Sequence, residues 1–271
     1  MIRQLTDFLH LIRWKNVGIY LLLQGLFYYK FSQRADISLF VVLVLVFLLW
    51  GMAGNIQNNI YDYELDQNKP EFIRFSIRNY TYVYVVLYLL GILVLLINTS
   101  LVFSLLALLF PLLLSLYNIY LKKILLLGNF VIAFLTATSV FIPVWLGLRV
   151  AVHKGNMMLV FYMLIAFLLT LMRELVKDME DAEPDKRFGY KTMPVWSQKL
   201  SVWVLVIYYV VFGLLLYEYY GNLEWKRWIL VCVLGVILLS LALHKVLIKR
   251  YKTATKLLKL LMLLGILTIL L

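Results

Sequence analysis

Two sets of oxygen-bearing side chains stand at the ends of long apolar runs: Asn58, Asp62 and Asp66 in NNIYDYELDQNKP, and Glu174, Asp178, Asp181 and Asp185 in RELVKDMEDAEPD. Spacing of i, i+4, i+8 turns the first set by only about 40° per step on a helix, so the three share one face. Spacing of 4, 3 and 4 gathers the second set within an arc of about 60°, with Pro184 interrupting the helix near Asp185. Like charges at i, i+4 repel, so such a face makes physical sense when a cation bridges it. Carboxylate and amide oxygens are the ligands of hard divalent ions such as Mg²⁺, which takes one or two carboxylates and completes its shell with water and phosphate oxygens. Cations follow each set: Lys69, Arg74 and Arg78 after the first, Lys122 and Lys123 mid-chain, and Lys186, Arg187 and Lys191 after the second. Together these residue types suit a metal-bound diphosphate.

The elements that must position them are membrane helices. At 64% hydrophobic and 15% charged, with a mean hydropathy of +0.90 over 271 residues, the chain is far too apolar for a soluble domain. The apolar runs are long, Leu-rich and unbroken, which excludes a transmembrane barrel of short alternating strands. The expected fold is all-α, a single domain over 1–271 with about nine spans near 16–32, 38–57, 80–98, 100–120, 128–149, 156–176, 198–220, 227–247 and 255–271. The opening MIRQLTDFLHLIRWKN reads as an amphipathic surface helix, with Leu5, Phe8, Leu9 and Ile12 on one side, and not as a cleaved signal.

Charge then sets orientation. The formal net charge of +12 invites a nucleic-acid reading, but position matters more than sum in so hydrophobic a chain, and no nucleic-acid partner is expected. With the N-terminus inside, all but Lys30, Arg34, Arg149, Lys154, Lys226 and Arg227 of the 26 Lys and Arg fall on the cytoplasmic side. Both acidic sets fall there as well. The expectation is an integral protein of an inner or plasma membrane with its site at the cytoplasmic face. His10, His153 and His244 form no ligand spacing, and Cys232 stands alone mid-helix, so neither residue type offers a metal centre or disulfide.

These motifs resemble those of the UbiA superfamily of intramembrane prenyltransferases, which carries NDxxDxxxD after its second helix and DxxxD after its sixth. Here the first reads Asn58-Asn59-Ile-Tyr-Asp62-Tyr-Glu-Leu-Asp66, followed by Asn68, Lys69 and Pro70. The second is matched by Asp181 and Asp185, because the family's G-x-K-S/T tail then falls on Gly189, Lys191 and Thr192. Tyr117 and Lys122, with Gly128 and Asn129, resemble the family's element on the fourth helix, and Arg13 and Asn16 resemble its N-terminal motif. The likeness covers roughly 10–195 and is strongest to the subgroup that includes digeranylgeranylglyceryl phosphate synthases. Asn59 stands where Asp is usual, offering an oxygen without charge, and Pro184 stands where that subgroup commonly has Gly.

The resemblance implies Mg²⁺-dependent transfer of a polyprenyl group from a polyprenyl diphosphate to a hydroxyl-bearing or aromatic, lipophilic acceptor among membrane lipids. It assigns Asp62, Asp66, Asp181 and Asp185 to metal and catalysis. Asn58, Lys69, Arg74, Tyr117, Lys122, Asp178, Lys191, Arg13 and Asn16 are assigned to substrate binding. Residue chemistry alone leaves a transporter or ion-binding protein as the alternative, in which acids line a path through the bundle.

Overall fold

In this computed structural model the chain is described over residues 8–31, 37–62, 77–148, 157–220 and 225–270. Within the described residues each predicted span falls on helix. These are α1 (Trp14–Phe31), α2 (Ile37–Tyr61), α3 (Ile77–Asn98), α4 (Leu101–Ala107), α5 (Leu109–Ile119), α6 (Leu127–Ile142), α7 (Met158–Glu180), α8 (Ala182–Arg187), α9 (Met193–Trp196), α10 (Gln198–Tyr220), α11 (Trp225–Leu247) and α12 (Tyr251–Leu267). Helices α4 and α5 form one span, interrupted at Leu108 where Pro111 cannot donate to the carbonyl four residues back. Among the described residues no strand occurs, and seven spans are long and apolar enough to cross a membrane, with 233–247 a shorter apolar stretch. Helix α1 is not among the seven, since it carries Lys15, Asn16, Gln24 and Lys30. Large apolar side chains point outward, as on α3 (Leu89, Leu93, Ile97) and α10 (Trp203, Ile207, Leu214), the pattern of a protein solvated by lipid.

Contacts divide the chain into two compact units, one of residues 1–121 and 139–151, the other of 122–138 and 152–271. In the first, Trp50 is wholly buried with Leu43, Val46, Phe47 and Leu95, stacking on Phe110 at 5.8 Å. A chain of polar groups runs through this apolar core. Trp50 Nε1 donates to the Tyr88 carbonyl (3.3 Å), Tyr88 Oη donates to Gln57 Oε1 (3.0 Å), and Asn118 Nδ2 donates to Gln57 Oε1 (3.1 Å) and the Gly54 carbonyl (3.0 Å). Because unpaired polar groups are costly in low dielectric, this network fixes the rotation of α2 about its axis. The acidic motif begins at the next residue, Asn58.

The end of α6 shows the same economy. Pro143 has no N–H for the Ser139 carbonyl and opens a π-helical turn, Pro143–Gly147. Tyr20 Oη (3.3 Å) and Gln24 Nε2 (3.2 Å), one turn apart on α1, donate to that carbonyl, and Gln24 also reaches Val140 O at 3.4 Å. The turn lies so close to α2 that a Cβ on Gly147 would sit 2.5 Å from Phe40 Cα.

The N-terminal segment departs from a simple surface helix. Leu11 and Ile12 are buried with Ile56 of α2 and Tyr80 of α3, and Phe8 and Leu9 pack at the edge of the same cluster; Leu5 lies outside the described residues.

In the second unit α7 is central. Residues from Leu159 to Met179 bury its apolar face against α10 and α12, and Tyr162 Oη and Thr268 Oγ1 share a hydrogen bond at 2.6 Å.

Replacing Gln24 with Leu removes the donor to two buried carbonyls and should cost about 1–3 kcal/mol of stability. Each single change leaves Ser139 O one donor, so Tyr20→Phe/Gln24→Leu should lose more than the two singles combined. Denaturant unfolding in detergent reads this, and strict additivity would contradict the shared-carbonyl account.

Candidate functional site

The first motif lies at the C-terminal end of α2. The helix ends at Tyr61 and Asp62 follows in the turn, its N–H donating to Asn58 O at 2.9 Å. Asn58 Nδ2 donates to Asp62 Oδ2 at 2.8 Å, so the amide and carboxylate expected to share a face do so. Asn58 is buried and Asp62 partly so. Asp66, Lys69 and Arg74 lie outside the described residues. In the same unit, Tyr117 is half-buried on α5 beside the fully buried Asn118, and Arg13 and Asn16 flank the start of α1.

Asn59, the departure from the usual motif, is engaged elsewhere. Its Nδ2 donates to the Leu11 carbonyl at 3.2 Å.

In the second unit the acidic set is split by a helix end. Helix α7 stops at Glu180, Asp181 caps it with φ −90°, and the short α8 follows with Asp185 in its first turn; Asp185 N–H donates to Asp181 O at 2.9 Å. The uninterrupted face suggested by the spacing is therefore a bend, consistent with Pro184 within α8. Glu174, Asp178 and Asp185 each have a distinct partner. Glu174 is buried and ion-paired with Arg173. Asp178 Oδ2 accepts from Asn129 Nδ2 at 2.8 Å, which joins α7 to α6. Asp185 Oδ2 accepts from Thr192 Oγ1 at 3.2 Å, with both residues buried.

A loop clasp holds the basic residues beside these acids. Gly189 takes φ +73°, a conformation that favours glycine, and lets the chain reverse after α8, with Tyr190 N–H donating to Asp185 O at 2.9 Å. Lys191 N–H then donates to Lys123 O at 2.8 Å, and Ile124 and Lys191 form an isolated parallel bridge. Lys123 Nζ lies 5.2 Å from the centre of the Tyr190 ring, a cation–π contact. Lys122 stands in the 3-10 turn Leu121–Lys123, and Lys191 is exposed. The unit thus links the turns that carry Asp181, Asp185 and Lys191 to the turn that carries Lys122, with Asp178 in the last turn of α7. Sequence reasoning placed Lys191 and Thr192 near the acids but not the Lys123–Tyr190 contact, which depends on two loops distant in sequence.

Among the described residues, no group of three or more His, Cys, Asp or Glu converges as a ready metal cluster. The donors present are oxygens of Asn and Asp, with one carboxylate oxygen of Asp62, Asp178 and Asp185 oriented by an amide or hydroxyl. That set fits a hard cation that keeps water and phosphate in its shell, not a fully protein-caged metal. An apolar pocket among α7, α10, α11 and α12 is lined by Phe161, Ile165, Leu169, Phe212 and Leu261.

Fold and site together define an all-helical integral membrane protein with oxygen-donor motifs at two helix ends. Residues 20–266 match the UbiA prenyltransferase family, and the chain belongs to that family. A digeranylgeranylglyceryl phosphate synthase from Methanothermobacter thermautotrophicus is 37% identical over 170 residues, covering 60% of this chain and 57% of that protein. The match thus spans less than two thirds of that relative's length. A solved structure of a digeranylgeranylglyceryl phosphate synthase is similar over 99% of this chain and 98% of its own, with 26% identity and a TM-score of 0.71. A UbiA homologue from Archaeoglobus fulgidus, solved with GPP and Mg²⁺, shares the fold at 15% identity and a TM-score of 0.61, covering 98% of this chain and all of its own.

Converting Asn129 to Asp sets two carboxylates against each other and should destabilise the protein by about 1–3 kcal/mol. The swap Asn129→Asp/Asp178→Asn rebuilds one amide–carboxylate hydrogen bond and should recover most of the loss. Thermal unfolding of the two variants in detergent decides it; a swap no more stable than Asn129→Asp alone would contradict the contact.

Proposed function

We propose that the chain transfers a polyprenyl group from a polyprenyl diphosphate to an acceptor hydroxyl, releasing pyrophosphate with Mg²⁺, and that 1–271 act as one prenyltransferase domain. The observation that carries this reading is the family match over 20–266, with Asp62, Asp66, Asp181 and Asp185 at the aspartates of its two motifs other than the one that Asn59 replaces. Similarity to digeranylgeranylglyceryl phosphate synthases favours a glyceryl phosphate acceptor over an aromatic one. The distribution of Lys and Arg favours a site at the cytoplasmic face of an inner or plasma membrane.

Asp62 and Asp66 with Asn58 would form one set of metal-holding oxygens, and Asp181 and Asp185 with Asp178 another. Magnesium, when bound, supplies Lewis-acid stabilisation of the charge that accumulates on departing pyrophosphate. Lys69, Lys122 and Lys191 add point charges toward the phosphates, while Arg74, Arg13 and Asn16 offer donors that hold the diphosphate in place. Asn58 and Thr192, each bonded to one carboxylate oxygen, keep Asp62 and Asp185 in fixed rotamers, so little reorganisation is needed when substrate arrives. The carbon–oxygen bond to diphosphate breaks with its electron pair on the leaving group, and the acceptor oxygen forms the new bond to that carbon as it gives up its proton. Apolar walls exclude water that would otherwise capture the allylic cation. Tyr117 stabilises that cation through its ring face.

Asp62→Ala or Asp181→Ala should abolish Mg²⁺-dependent pyrophosphate release while the protein stays folded in detergent; full activity in both would refute the assignment. Mass spectrometry of products from a panel of prenyl diphosphates and acceptors should yield an ether of a glyceryl phosphate. A prenylated aromatic as sole product would reassign the acceptor.

A further inference from the structure

The first turn of the described chain contains a helix break that two asparagines hold open. Residues 8–11 are helical, Arg13 adopts φ 55°, and α1 begins at Trp14. In an unbroken helix the Ile12 carbonyl would accept the Asn16 N–H, which here donates to Arg13 O at 2.7 Å. Asn55 and Asn59, one turn apart on α2, address consecutive carbonyls: Asn55 Nδ2 donates to Ile12 O and Asn59 Nδ2 to Leu11 O, each at 3.2 Å. Leu11 and Ile12 are buried with Ile56 and Tyr80, so water is a poor substitute for these donors. A left-handed backbone at a non-glycine residue is strained and persists only where its surroundings hold it.

The chemistry at position 59 is selective. A metal ligand needs an oxygen, which Asp supplies better than Asn, whereas a carbonyl needs a donor, which ionised Asp lacks altogether. We infer that Asn59, together with Asn55, is a positioning residue: the two amides clasp the break at Arg13 and thereby set Arg13 and Asn16 for the diphosphate. The inference rests on the proposed prenyl-diphosphate reading for the role of Arg13 and Asn16, while the clasp itself rests on hydrogen bonds alone. It turns an apparent weakening of the acidic motif into a requirement of the neighbouring segment.

The test uses the full chain in detergent or nanodiscs with Asn59→Asp and Asn55→Asp, the second lying outside the acidic motif. Hydrogen exchange over residues 8–17 should rise about tenfold in both variants, since each loses one hydrogen bond at the break. KM for geranylgeranyl diphosphate should rise by a similar factor, about tenfold, in both, with the Mg²⁺ concentration for half-maximal rate unchanged. Asn59→Ala, which removes the donor without adding charge, should repeat the pattern if an aspartate variant fails to fold. Unchanged exchange, or an Asn59→Asp enzyme that needs less Mg²⁺ at unaltered KM, overturns the positioning role and leaves the functional reading intact. Raised exchange in a protein whose wild type turns over no prenyl diphosphate overturns the functional reading and the role given to Arg13 with it.

Discussion

In an apolar interior every backbone carbonyl released from a helix must find a donor, and this constraint organises the unit that carries the first acidic motif. Pro143 releases Ser139 O, which Tyr20 and Gln24 recover. The break at Arg13 releases Leu11 O and Ile12 O, which Asn59 and Asn55 recover. Asn118 reaches Gly54 O from α5 while also holding Gln57. In each case a side-chain amide on one helix reads the backbone of another, and the pairing works at one rotation and one register. Leucine packing alone would tolerate several arrangements; these amides select one.

That selection bears on chemistry because the structural amides share α2 with Asn58, the residue that opens the acidic motif. Along α2, Asn55, Gln57 and Asn59 face structural partners while Asn58 turns to Asp62, so residues of one type at neighbouring positions divide structural and chemical work by helical angle. The second unit reaches a comparable result with turns. Asp181 ends α7, Gly189 reverses the chain, and the backbone pairing of Lys191 with Lys123 ties the turn to the loop before α6. Asp178 and Asp185 then take their orientation from Asn129 and Thr192.

Much of this was legible in the residues. Within the described residues the expected spans lie on helices, seven of them long and apolar enough to cross a membrane, because hydrophobic length in a chain this apolar leaves few alternatives. The pairing of Asn58 with Asp62 followed from i, i+4 spacing, and Pro184 marked the bend between Asp181 and Asp185. What the sequence hid was tertiary. Nothing local says that Asn59 meets Leu11 across 48 positions or that Lys123 meets Tyr190; such contacts arise only once helices pack. The N-terminal segment misled for a related reason, since Leu9 and Ile12 suit a membrane surface and a protein groove equally well, and the groove formed by α2 and α3 takes Ile12.

The most direct test of the account is an experimental structure with Mn²⁺ in place of Mg²⁺ and a non-hydrolysable prenyl thiolodiphosphate, with the metal located by anomalous scattering. The account predicts manganese bound by Asp62 and Asp66 and by Asp181 and Asp185, with diphosphate oxygens among its ligands. Manganese elsewhere, or a diphosphate that touches neither motif, would contradict it.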